Sequence, residues 1–147
     1  MKKLLLLILP LFALAACSND DNNNTTTEEI NFSTIAKNTL NGNGNISQSN
    51  LVFNNQTDWN SFLIQLDEID NVTATFNETE IDFTAFTVIA VIDEIKTSGS
   101  EINILTALES TNTITISSEL TMYSTAVISQ PFHIIKIPKT NKQIIFN

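Results

Sequence analysis

Gln130-Pro131-Phe132-His133-Ile134-Ile135-Lys136-Ile137-Pro138-Lys139 is the stretch on which the fold turns. Between its two prolines every residue is apolar except His133 and Lys136. Neither face of the segment alternates to water, so it reads as a strand buried on both sides, at the centre of a sheet. Prolines at the ends suit it, because a missing N–H donor is tolerated there and not in mid-ladder. Period-two patterning also predicts strands over residues 51–53, 87–92, 102–108, 113–117, 126–137 and 143–146. In Thr113-Ile114-Thr115-Ile116-Ser117 the isoleucines face one way and the hydroxyls the other, as in a sheet with one wet face.

One segment breaks that period. Trp59, Phe62, Leu63 and Leu66 recur at i, i+3, i+4 and i+7, which predicts an amphipathic helix over residues 57–66. Thr57 is the expected cap and Asp58 complements the positive end of the dipole, with Asp67, Glu68 and Asp70 ending the helix in a polar loop. The expected fold is mainly β with one amphipathic helix, an α+β arrangement. Its antiparallel sheet forms a small sandwich or open barrel, and the helix packs on one face or plugs one end.

The chain opens with Lys2 and Lys3, runs apolar through residues 4–14, and reads Leu14-Ala15-Ala16-Cys17 before turning polar. An apolar run of about 11 residues is too short to span a hydrocarbon core that needs roughly 20, and small residues follow it, so it reads as a cleaved signal peptide. The last four residues resemble the lipobox of bacterial lipoproteins, which makes Cys17 the lipid-bearing first residue of the mature chain. Cys17 is the only cysteine, so disulfides and thiolate metal sites are excluded and stability must come from packing. Residues 18–29 carry no apolar side chain and read as a disordered polar tether. The expected organisation is a signal peptide over 1–16, acylated Cys17 and tether over 17–29, and a single β-rich domain over 30–147. Ser18 directly after the cysteine argues against retention at the inner membrane, by the familiar sorting rule. The acidic start that follows resembles export signals of surface lipoproteins, and the expected location is the outer membrane.

After removal of the signal, five lysines and no arginine stand against sixteen acids, a net charge of −11. Nucleic acid is thereby excluded as a partner, since phosphate binding relies on clustered Lys and Arg. His133 is the only imidazole. On a buried strand it reads as a hydrogen-bonded core residue. A serine triad lacks any G-x-S-x-G elbow, and one His cannot supply a transition-metal site. The acid runs Asp67-Glu68-x-Asp70 and Glu78-x-Glu80-x-Asp82 lack the glycine and distal Glu of a calcium loop and read as solvated faces, with Asp82 capping the turn through Ala85. No catalytic residue, metal or cofactor is expected.

Three features of residues 51–147 carry a family resemblance. They are Trp59-Asn60-Ser61-Phe62, Ile81-Asp82-Phe83 leading into Val88-Ile89-Ala90-Val91, and the proline-bracketed strand with its closing Ile144-Ile145-Phe146. Together they resemble the C-terminal domain family named after PrcB, a lipoprotein subunit of a surface protease complex. Many members of that family carry a Gly-Gly-aromatic turn where this chain reads Lys96-Thr97-Ser98-Gly99-Ser100-Glu101. A partner approach that relied on those glycines would be lost or changed here. The resemblance implies a non-catalytic, membrane-anchored accessory domain that binds and stabilises another exported protein, a protease in the type case. It also makes Pro131, Phe132, His133, Lys136 and Pro138 the candidate partner-binding set. Because His133 and Lys136 lie three apart on one strand, they are expected on opposite faces, with Lys136 near a rim or in contact with a partner. The alternative is a surface module for a small ligand or glycan, for which exposed aromatics on a loop would be the mark.

Overall fold

The computed structural model describes residues 27–41 and 46–147. The expected signal peptide, Cys17 and the expected tether up to residue 26 lie outside the described residues. Among the described residues eight strands and one α-helix follow in order: β1 (Glu28–Glu29), β2 (Ser33–Asn41), β3 (Ser49–Phe53), α1 (Gln56–Ile69), β4 (Phe86–Ile92), β5 (Ser100–Glu109), β6 (Thr113–Met122), β7 (Ser129–Pro138) and β8 (Gln143–Phe146). They make two four-stranded sheets, an inner one in the order β2-β7-β4-β3 and an outer one in the order β1-β5-β6-β8. All pairs are antiparallel except β6 with β8, which run parallel. The sheets pack face to face and do not close into a barrel, which decides the expected alternatives in favour of the sandwich.

The doubly buried strands explain the layering. Val88, Ala90 and Ile92 of β4, with Phe132 and Ile134 of β7, pack against Trp59, Phe62 and Leu66 of α1. The alternate residues Ile89, Val91, Ile135 and Ile137 pack against Ile102, Ile104, Ile114 and Ile116 of the outer sheet. The molecule is therefore three layers thick, helix on sheet on sheet, with β7 between β2 and β4 as its central strand. Trp59 is fully buried and its indole N–H donates to the Thr79 carbonyl at 2.7 Å. Its ring meets Phe53 edge-on at 5.4 Å between centroids, an arrangement favoured by the ring quadrupoles.

Several local expectations need correction. The helix starts one residue earlier and is capped by Asn55, whose side chain accepts from the Asp58 N–H; Thr57 is inside the first turn. It also continues through Asp67 and Glu68, and Asp67 accepts from the Thr73 N–H and hydroxyl, tying the helix end to the 3-10 turn Val72–Thr75. The ordered domain begins before Ile30, since Glu28 and Glu29 pair with Glu109 and Leu108. β2 is a nine-residue strand that period-two patterning does not reveal. A register shift between Thr34 and Ala36 puts Ile35 and Ala36 both in the interior and breaks the alternation. The segment expected as a strand from Ala126 is an exposed loop until Ser129, and β6 runs on to Met122.

Candidate functional site

The candidate residues divide by the face of β7 on which they fall. His133 points with Ile135 and Ile137 toward the outer sheet, and its Nδ1 accepts the backbone N–H of Ile104 at 2.8 Å. Ile104 stands at the register shift in β5, where the ladder with β6 skips a residue and leaves an N–H free to turn inward. Since Nδ1 is an acceptor, Nε2 carries the proton and donates to the Thr34 hydroxyl at 3.0 Å. Burial, with the Lys37 charge adding to it, pushes the imidazole down to about 4. Both ring nitrogens are thus occupied, Nδ1 by the outer sheet and Nε2 by β2 within the inner one, as a core histidine's would be.

Lys136 lies on the opposite face, as the spacing requires, and it is engaged within the domain. Its ammonium pairs with the Glu78 carboxylate at 2.5 Å and sits 4.6 Å above the Phe86 ring, and its side chain is only 17% exposed. Phe132 is fully buried against the helix layer and Pro131 is buried between β2 and β4. Of the candidate set only Pro138 is exposed, at the strand's end. The proline-bracketed motif is therefore interior apart from Pro138. The acid runs are likewise engaged. Asp70 accepts from Asn41 at 2.6 Å, and Asp82 accepts from the Thr84 N–H and hydroxyl, which hold its carboxyl below the usual range.

A second set of polar groups gathers where β2, β4 and β6 end. Gln130 is fully buried. Its amide donates to the carbonyls of Ile46 and Asp93 while its oxygen accepts the Ile46 N–H, so it ties the β2–β3 and β4–β5 connections together. Asp93 accepts from Gln48 and pairs with Lys96, whose ammonium is held above its usual range chiefly by Glu94. The buried Ser100 and Ser129 hydroxyls bond each other at 2.9 Å.

On this scaffold the β6–β7 loop is held close to Gly99. The Gly99 N–H donates to the Thr125 carbonyl and hydroxyl, and the Tyr123 N–H donates back to the Gly99 carbonyl. A Cβ on Gly99 would stand 2.3 Å from Thr125 Oγ1. The one glycine of the Lys96–Glu101 turn thus admits a segment of this same chain, not a foreign backbone. The loop held in this way exposes Met122, Tyr123, Val127 and Ile128, with Ile95 beside them on the β4–β5 turn.

No protein-family model matches the chain, and no curated protein or solved structure matches it. Several hollows mark the surface of the described residues, among them one of about 480 Å³ between β3 and α1, lined by Ile46, Leu51, Gln65 and Ile69 among others. A second of about 480 Å³ opens between the sheets at the β3 and β8 edges, lined by Asn50, Asp93, Ile102 and Phe146 among others. A smaller one, about 190 Å³, lies beside Tyr123, Lys37 and Glu101. In the latter Lys37 pairs with Glu101, which depresses the Glu101 carboxyl, and Glu101 in turn accepts from the Tyr123 hydroxyl and raises it. Among the described residues no three His, Cys, Asp or Glu side chains converge as a metal site, and no helix is long and apolar enough to cross a membrane.

Sequence reasoning missed the loop-end residues. An apolar run such as Ala126-Val127-Ile128 that continues into a strand carries the same local pattern as the strand itself. The only available signal was the break at Tyr123-Ser124-Thr125, too polar for the ladder that was assumed to resume at Ala126.

Proposed function

We propose that this protein is a lipoprotein anchored through Cys17, at the outer membrane, whose domain binds another exported protein without catalysing a reaction on it. The observation that carries the binding role is the concentration of exposed apolar side chains on one hydrogen-bonded loop end, in a domain whose single imidazole is consumed by the fold. Met and aromatic side chains are enriched at protein interfaces, and loops on a rigid sandwich are suited to presenting them. An accessory subunit of the kind that the PrcB resemblance implies would need such a surface and no catalytic group. A protease is the partner class of that type case.

The alternative is a small-ligand or glycan module, favoured by one observation, the exposed Tyr123 on a loop. It ranks second because the hollow beside Tyr123 is smaller than the roughly 300 Å³ at which ligand sites begin, the tyrosine hydroxyl is already bonded to Glu101, and the two larger hollows of about 480 Å³ have no exposed aromatic in their lining.

The test is to isolate the tagged full-length lipoprotein from gently solubilised envelopes. One exported protein co-isolating in fixed ratio is expected. A protein recovered alone, at the 16.3 kDa of the chain less its signal plus lipid, would overturn the binding role.

A further inference from the structure

The position of the apolar loop end relative to the point where the chain comes in says what it can reach. β1 pairs antiparallel with β5, Glu28 opposite Glu109 and Glu29 opposite Leu108, so residues before Glu28 leave the domain beyond the Glu109 end of β5. The apolar loop lies at the other end, where Ser100 pairs with Met122 and Lys96 pairs with Ser129. A ten-residue strand separates the two, which is roughly 33 Å.

Given a protein-binding role for the domain, we infer that its docking surface is this loop end, presented away from the membrane, and that the occupant is a second exported protein whose apolar patch is rimmed by lysine or arginine. Exposure is concentrated there, at 51% for Met122, 46% for Tyr123, 50% for Val127 and 59% for Ile128. The loop is ordered before it binds. The Thr125 N–H donates to the Tyr123 carbonyl and the Val127 N–H to the Thr125 carbonyl, and Gly99 closes the base, so little ordering entropy is left to be lost on docking.

Charge selects among occupants. Asp93, Glu94, Glu101 and Glu119 stand on this end against Lys37 and Lys96, a surplus of acid within a domain that is acidic throughout. An anionic headgroup layer repels such a surface, and it lies on the side away from the tether. A second copy would bring two acid surpluses together. A cationic rim instead complements the surface and steers association.

Site-specific photocross-linking in cells making the full-length lipoprotein tests this, with p-benzoylphenylalanine replacing in turn Val127 on the loop end, Asn112 at the tether end and Ile64 on the exposed helix face. The expected result is a light-dependent adduct to one protein from Val127 and none from Asn112 or Ile64, with lysines or arginines flanking the cross-linked peptide. Adding Ile128→Asp should lower its yield about tenfold or more. Should that variant melt early, Ile128→Ser serves in its place. Protein adducts from Asn112 or Ile64 and not from Val127 would overturn the surface while leaving the binding role standing. A Val127 adduct to phospholipid, to a second copy at twice the mass, or to an acidic segment would overturn the occupant. The absence of a protein adduct from all three positions would overturn surface and binding role together.

Discussion

The imidazole Nδ1 of His133 accepts the backbone N–H of Ile104 across the sandwich at 2.8 Å, so one neutral ring satisfies the donor that the β5 irregularity turns inward. Protonation would put a second donor against that N–H. The unfolded imidazole takes its proton near the usual 6.5 and the folded one near 4. The unfolded state therefore binds more protons between these values, and stability falls as pH drops from 6.5 toward 4. Above about pH 7 the group contributes no pH dependence. Chemical denaturation of wild type and His133→Gln at pH 7.5 and 4.5 should show wild type losing up to about 3 kcal/mol more than the variant over that interval. Parallel losses in the two proteins would contradict the neutral, bonded imidazole.

Trp59 fills the space between α1 and the inner sheet, so Trp59→Ala should cost about 3 to 5 kcal/mol in urea unfolding. Its emission should be blue-shifted in the folded protein and shift red on unfolding. Emission that is red in the native state, or quenched by added sugars, would place the ring at the surface.

Lys136, whose loss the sequence leads one to expect would spare stability, is engaged within the domain. The pair with Glu78 and the Phe86 ring is largely shielded from water, so Lys136→Met should destabilise by about 1 to 2 kcal/mol. Glu78→Gln should do less in that background than in wild type. Additive losses in the double-mutant cycle would show that the pair is not coupled.

At Gly99 a methyl group meets Thr125 Oγ1 at 2.3 Å. Gly99→Ala should cost about 1 to 3 kcal/mol and raise hydrogen exchange across residues 123–128. Thr125→Ala removes the clashing oxygen, so the double variant should recover part of the loss. An unchanged exchange pattern in Gly99→Ala would mean that the loop does not depend on that close approach.

Cys17→Ala should abolish lipidation and move the protein out of the membrane fraction, since one acyl chain binds only marginally without a second and the residues that follow offer no other apolar anchor. Labelling with palmitate followed by fractionation reads both effects. A membrane pellet unchanged by the substitution would remove the anchor and the proposed location together.

What the sequence determined by itself is what local pattern encodes. The helical face of Trp59, Phe62 and Leu66, the strands around the isoleucine alternations and the doubly buried segment from Phe132 to Ile137 were legible because each follows from backbone periodicity within a few residues. The opposite faces of His133 and Lys136 follow from the same period. Even so, neither the partner of His133 nor that of Lys136 could be read, because Ile104 and Glu78 reach them only through strand register and the irregularity in β5. β2 hid for a related reason, its alternation broken at Thr34 and Ala36. The parallel placement of β8, the division into two sheets and the gathering of Ile95, Met122, Tyr123, Val127 and Ile128 at one end were decided only by the tertiary structure. Which strand lies beside which is set by the packing of whole faces against one another, and that is a property no single stretch of the chain carries.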